Sequence, residues 1–226
     1  MKNAWLPAAE PAYLFHQGTN YRAYEFLGCH TDGNSAVFRV WAPNAAGVAV
    51  TGDWNNWDSR ADPMVKISDG GIWEAYIDGI SAGQRYKFLI KTKNGKTLEK
   101  ADPYAFYAET DGKTASIIYE IDGYDWNDGD WHSVRSAPYD KPMNIYECHP
   151  GSWRFTAQRT PYGYRRAADE LVPYLTELGY NYLELLPVME HPYGKSWGYQ
   201  TTGYFAPTSR WGEPKDLMYL IDKCHR

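Results

Sequence analysis

Partway along this chain the hydrophobic period changes, and that change limits the fold more than any single motif. From Tyr21 to Glu120 short strand-like runs recur, Ala36–Trp41, Val48–Thr51, Ile72–Asp78, Tyr86–Lys91 and Ser116–Tyr119, and two of them, Ile72–Asp78 and Tyr86–Lys91, alternate apolar with polar residues. Turn residues separate the runs, Pro43–Asn44 after the first and Asn94–Gly95 at a hairpin. Successive side chains of a strand point to opposite faces, so each run buries one side, and several such runs stack as an immunoglobulin-like β-sandwich. From Met143 the pattern becomes strand, helix, strand, helix. Met143–Cys148 and Asn181–Pro187 are the strands. The first helix is marked by Leu171, Leu175 and Leu178 and closed by Gly179; Pro214 opens the second. Pro173 predicts a kink or a late start in the first helix. Such a series gives parallel strands with a right-handed crossover. Two βα units cannot close a sheet or cover both its faces, so the simplest completion is a truncated (β/α)8 TIM barrel whose other units lie outside this sequence.

Four regions follow. Residues 1–20 are an extension, 21–120 the sandwich, 121–141 a linker rich in Asp and Trp, and 142–226 the partial barrel. Trp126 and Trp131 are expected to pack across the linker boundary, and Trp41, Trp54 and Trp73 inside the sandwich core. Leu217, Leu220, Ile221 and Cys224 recur at i, i+3, i+4 and i+7, predicting one buried helix face. The sequence stops at Cys224–His225–Arg226 with no Gly cap and no further strand, which reads as the front part of a longer protein.

Between Val188 and Glu213 neither period holds. There Ser196–Trp197–Gly198–Tyr199–Gln200–Thr201–Thr202–Gly203–Tyr204–Phe205–Ala206–Pro207 mixes aromatics, glycines and hydroxyls. Long loops of this kind in compact domains are functional or disordered, and disorder avoids aromatics. Sugar rings have apolar faces edged by hydroxyls, which such a mixture suits. The whole chain leans the same way, since 10 Trp and 20 Tyr among 226 residues exceed what a core absorbs.

Other classes are disfavoured. Net charge is −5 and no basic block occurs, so nucleic acid is not an expected partner. Three scattered cysteines, Cys29, Cys148 and Cys224, read as reduced residues of a cytoplasmic protein. Pro7, Glu10 and Pro11 interrupt the start, unlike a secretory signal, and no apolar run is long enough for a membrane partner. The six histidines show no metal-ligand spacing, so no metal and no cofactor are expected.

At this point a family resemblance is close. Met143–Asn144–Ile145–Tyr146–Glu147–Cys148–His149–Pro150–Gly151–Ser152–Trp153 resembles the first barrel strand of bacterial 1,4-alpha-glucan (glycogen) branching enzymes, members of glycoside hydrolase family 13. Glu184–Leu185–Leu186–Pro187–Val188–Met189–Glu190–His191–Pro192, Ser196–Gln200 and Tyr204–Arg210 resemble their second strand and its loop. The front half is similar to their family 48 carbohydrate-binding module, through Val40–Trp41–Ala42–Pro43, Gly52–Asp53–Trp54–Asn55–Asn56–Trp57, Tyr86–Lys87–Phe88 and Ala101–Asp102–Pro103–Tyr104–Ala105.

The resemblance implies a retaining transglycosylation that moves an α-1,4-glucan chain to a 6-hydroxyl, on glycogen, amylose or maltooligosaccharides. Retention needs two carboxylates about 5 Å apart. In the family these lie on later strands, so no catalytic residue is expected in this chain, which is predicted inactive alone. Glu184 has no evident partner, and Glu190 reads as a structural loop residue. Asp53, Asp58 and Asp62 read as turn residues. The resemblance implies substrate binding by Tyr199, with Trp197 and Gln200 beside it, and by Trp57 and Lys87 in the sandwich. Where related modules carry a second platform tryptophan, this chain has Gly95–Lys96–Thr97. The alternatives are a non-catalytic glucan-binding scaffold and a debranching enzyme of the same superfamily.

Overall fold

The computed structural model describes residues 7–110, 112–135 and 141–226. They fall into two compact units, Met1–Asp122 with Gly203–Ala206, and Gly123–Thr202 with Pro207–Arg226.

The first unit opens with a helix the sequence pattern does not announce, α1 (Ala9–His16). Strands β1 (Gly28–Thr31), β2 (Ser35–Trp41), β3 (Ala45–Gly52), β4 (Val65–Lys66), β5 (Ile72–Asp78), β6 (Arg85–Thr92), β7 (Thr97–Lys100), β8 (Tyr107–Ala108) and β9 (Ser116–Ile117) follow. One sheet runs β1-β2-β5-β4 and the other β3-β6-β9-β8, with β7 also on β6. Ala36, Phe38 and Val40 of the first sheet bury against Val48, Val50, Tyr86 and Phe88 of the second. The register sets Phe38 opposite Ala75 and Val50 opposite Phe88, and a slip by one residue would turn every one of these chains to the wrong face.

That parity corrects one expectation. Trp54 and Trp73 pack on this core, but Trp41 is half exposed. It follows Val40 and so faces the other side of β2, where its Nε1 donates to the Gly70 carbonyl at 2.9 Å. Arg39 is on that side too, fully buried, with its guanidinium 4.7 Å over the Phe26 ring and its Nε donating to Glu74 at 2.6 Å. A smaller core of Ala12, Phe26, Leu27 and Ile72 joins α1 to this unit. Asp102 is buried, accepting from Tyr86 Oη at 2.6 Å and Tyr104 N–H at 2.8 Å. Burial pushes its carboxyl up to about 6.

In the second unit α2 (Gly129–Val134) precedes β10 (Ile145–Cys148), α3 (Pro150–Trp153), α4 (Tyr164–Glu177), β11 (Tyr182–Leu185), β12 (Met189–Glu190) and, after β13 (Gly203–Pro207), α5 (Pro214–His225). β10 and β11 pair in parallel, Ile145 with Tyr182 through Cys148 with Leu185. α4 begins nine residues before Pro173 and runs through it rather than starting late. Tyr180 N–H to the Leu175 carbonyl at 2.9 Å closes it, with Gly179 in left-handed backbone. Cys148, Leu183 and Leu185 pack on Leu171 and Leu175. The other face of the pair, Ile145, Glu147, Tyr182 and Glu184, is exposed, although a parallel sheet is ordinarily covered on both sides.

The last helix buries a narrower face than predicted. Leu220 and Leu217 pack against Tyr164, Ala168 and Trp211, while Ile221 and Cys224 are exposed and Asp222 turns inward. Asp222 accepts the Asn127 N–H at 2.7 Å, so a polar tie shares the inward face with Leu217 and Leu220. Trp131, expected at the boundary, stacks on His225 inside this unit. Among the described residues no helix is long and apolar enough to cross a membrane.

Candidate functional site

The stretch after β11 carries short elements after all: β12, a 3₁₀ turn at Gly194–Ser196, β13, and a second turn at Ser209–Trp211. Its anchor is Glu190. This buried carboxylate accepts from His191 N–H (2.9 Å), Ser209 N–H (2.8 Å), Ser209 Oγ (2.9 Å) and Arg210 Nη1 (2.8 Å). Arg210 Nη1 also reaches the His191 carbonyl at 2.8 Å and Thr208 Oγ1 at 3.0 Å. A charge taken out of water needs a partner and filled lone pairs, and here it has both. Glu190 is thereby spent on structure. Outside it, Thr202 N–H donates to the Glu190 carbonyl (2.9 Å) and Thr208 N–H to the Val188 carbonyl (2.7 Å), pinning the loop at both ends.

Two glycines let this loop cross the ends of the parallel strands. A Cβ on Gly198, whose φ is +84°, would stand 2.1 Å from the Pro187 carbonyl oxygen, just past β11. One on Gly151 would stand 2.7 Å from Cζ2 of Trp211. Only glycine allows either approach. Trp211 then packs edge-on between His149 (5.6 Å) and Tyr164 (5.8 Å).

Above this anchored base the predicted residues stand free. Tyr199 is 71% exposed and Trp197 60% exposed; Gln200 is exposed as well. Trp197 has φ +56°, a left-handed backbone uncommon outside glycine. A bulky ring in a costly conformation and left in water is a feature that packing does not explain. His149, which follows β10, lies 6.3 Å from the Trp197 ring. Burial chiefly, with His191 nearby, holds the His149 imidazole below the ordinary histidine value. Sequence reasoning missed His149 because its neighbour is about fifty residues away. Phe205, by contrast, is committed: it stacks on Tyr104, centroids 4.9 Å apart, within the first unit.

The sandwich candidates are held differently. Trp57 is 37% exposed, follows Asn56 in left-handed backbone (φ +53° and +61°), and donates its Nε1 to Asp53 at 3.0 Å. Asp53 in turn accepts from the N–H (2.8 Å), Nε (3.1 Å) and Nη2 (3.0 Å) of Arg85, which holds its carboxyl below the usual range. Lys87 is two residues along β6, opposite Thr51, with Nζ 3.3 Å from Glu99. Trp57 N–H bonds the Gly52 carbonyl at 3.1 Å, next to Thr51, so both side chains sit at one end of the β3–β6 pair.

Glu184 does have a neighbour: the parallel register sets it opposite Glu147. Both are exposed in mid-strand, whereas barrel enzymes place their chemistry at the C-terminal ends of strands.

Comparison with known proteins covers nearly the whole chain. Residues 26–105 match the model of carbohydrate-binding module 48, the isoamylase N-terminal domain. The 1,4-alpha-glucan branching enzyme GlgB of Halothermothrix orenii is 51% identical over 98% of this chain and 36% of its own length. That of Bacillus subtilis is 45% identical over 97% of this chain and 36% of its own length. Among solved structures, a Salmonella typhimurium protein assigned as an alpha amylase is 26% identical with a TM-score of 0.69, covering 88% of this chain and 31% of that one. The maltose complex of Bacillus subtilis type I pullulanase shares the fold at 24% identity, TM-score 0.67, over 88% of this chain and 31% of that one. The chain spans about a third of the length of the curated relatives it matches. With a family 48 carbohydrate-binding module in its first half, it is homologous over nearly its whole length to the amino-terminal third of the 1,4-alpha-glucan branching enzymes.

Proposed function

We propose that this chain is the glucan-positioning part of a cytoplasmic 1,4-alpha-glucan branching enzyme, in which 142–226 supplies the first two βα units of a (β/α)8 barrel and 21–120 a glucan-facing sandwich. The observation that carries the reading is the loop after β11. It is anchored from below by Glu190 and Arg210 and offers Trp197, Tyr199 and Gln200 to solvent beyond the end of a parallel strand. That is where barrel enzymes bind substrate. The open sheet face carrying Ile145 and Tyr182 fits neighbouring strands of a closed barrel.

In this reading the chemistry is a retaining transfer. A carboxylate outside this chain attacks the anomeric carbon of an α-1,4 bond, a second protonates the leaving oxygen, and the glucosyl unit passes to a 6-hydroxyl. Tyr199 stacks on the sugar as it flattens, Trp197 and Gln200 flank it, and Trp57 with Lys87 grips the same polymer on the sandwich. The pair Glu147–Glu184 does not act, so the chain alone leaves amylose unchanged.

A chimera tests this. The chain replaces the matching third of the Halothermothrix orenii enzyme and is incubated with amylose. Loss of iodine absorbance and new α-1,6 signals in proton NMR are expected. Tyr199→Ala should lower kcat far more than Tyr199→Phe, because stacking is felt in the transition state. A well-folded chimera that does not branch, or equal losses for the two variants, overturns the reading.

A further inference from the structure

The start of α2 and the last turn of α5 bring together three donors that spacing along the chain hides. Asp128 is buried just ahead of α2, His132 is one turn along it, and His225 ends α5. Asp128 Oδ2 lies 2.7 Å from His225 Nδ1 and 3.3 Å from His132 Nε2. One donor atom from each of the three falls within 4.8 Å of the others. The His225 ring is held flat by Trp131, centroids 3.7 Å apart and planes 3° from parallel. His132 stands edge-on to Trp131 at 5.0 Å. These side chains are set in place before any ligand arrives, and neither aromatic surface uses them.

We propose that Asp128, His132 and His225 bind a divalent transition metal of the zinc class, closing a clasp between α2 and α5. Two imidazole nitrogens with one carboxylate oxygen suit a borderline dication, whereas calcium and magnesium take oxygen shells. Bonds of about 2.0–2.2 Å to zinc put tetrahedral donors roughly 3.3 Å apart. The Asp128–His132 separation is already of that size. The Asp128–His225 contact is a 2.7 Å hydrogen bond that opens as the metal takes the place of the proton on His225 Nδ1. That proton moves to His225 Nε2 when the imidazole is neutral and to solvent when it is charged. Water completes the fourth position. The nearby cation Arg226 is engaged by Asp222 at 3.3 Å, and Asp222 already ties Asn127 to α5 at 2.7 Å. The clasp reinforces that tie.

The test uses the 226-residue protein, stripped of metal and titrated with zinc alone against a colour-changing chelator. A Cys224→Ser background removes the exposed thiol beside His225. One zinc per chain is expected in both backgrounds, and cobalt in its place should show the visible absorption of a tetrahedral nitrogen–oxygen site. His132→Gln, an exposed change that spares the Asp128–His225 bond, should weaken zinc by more than about tenfold without lowering the melting temperature of the metal-free protein. Asp128→Asn should weaken it as well. The proposal is overturned by a parent that binds no stoichiometric zinc. Binding lost with Cys224→Ser, or unchanged in His132→Gln, overturns it equally.

Discussion

Trp57 and Trp197 share a left-handed backbone and differ in almost everything that holds them. Around Trp57 the ring itself is fixed: Asp53 takes its indole N–H, and Arg85 grips Asp53 through three donors. Around Trp197 the fixed part lies beneath. Among the described residues no side-chain hydrogen bond reaches Trp197, Tyr199 or Gln200, while Glu190 and Arg210 lock the backbone below them. A prearranged ring meets its ligand with little ordering left to do. A free ring costs about 0.5–1.5 kcal/mol to immobilise, and the ligand has to supply it. Under the proposed function, the sandwich would give steady, modest capture, and the loop contacts that form only with a particular sugar shape.

Cutting the loop's anchor should do the most damage. Glu190→Ala leaves Arg210 with its charge mostly buried and unpaired, since their side chains are 4% and 16% exposed. Removing one partner of such a pair costs about 3–5 kcal/mol. Urea melts should show that loss, and Glu190→Gln, which keeps an acceptor, should lose less. A cost below about 1 kcal/mol for the alanine would mean the loop is anchored elsewhere.

The sandwich frame is challenged with acid, where two buried groups oppose each other. Burial pushes Asp102 up to about 6 and pushes His30 down to about 4. A raised acid contributes stability that is present below its unfolded value and lost as pH rises through about 6. A lowered histidine contributes stability present above about 6.5 and lost as pH falls through about 4. Each is worth on the order of 3 kcal/mol, with opposite sign, across the same window. Relative to the parent, Asp102→Asn should therefore lose stability on going from pH 6.5 to 4, and His30→Gln should gain it. Denaturation midpoints at three pH values check both, and parallel curves for all three proteins would refute the opposition.

Such pairs mark the limit of what a sequence discloses. Strands β5 and β6 were legible because their alternation is long, β2 because its apolar run is strand-like, and the β6–β7 hairpin because Asn94–Gly95 closes it. The two-residue strands β4 and β8 carry too few side chains for any period to be read. α1 was hidden by Pro11, which lies in its first turn, where proline is tolerated. The exposed aromatics of the loop were legible as composition. Glu190 was legible as a structural loop residue, but its partners were not, because Ser209 and Arg210 come 19 and 20 residues later, across β13. Asp128 and His225, 97 residues apart, are the same case at greater distance.

Whether the Trp57 ring meets glucan at all turns on a modest change in affinity. One stacked platform adds about 1 kcal/mol beyond its buried area, so Trp57→Ala should weaken maltoheptaose binding by roughly fivefold. Affinity electrophoresis in glycogen gels reads a change of that size. Asp53→Asn is the informative partner. It keeps an oxygen for the Trp57 indole but loses the charge that engages Arg85, so the ring stays while its brace loosens. If the ring works because it is held, Asp53→Asn should weaken binding by less than Trp57→Ala yet measurably. No change in Asp53→Asn would mean that the left-handed backbone alone presents the ring. No change in Trp57→Ala would assign the tryptophan to packing and leave the loop as the glucan-facing surface.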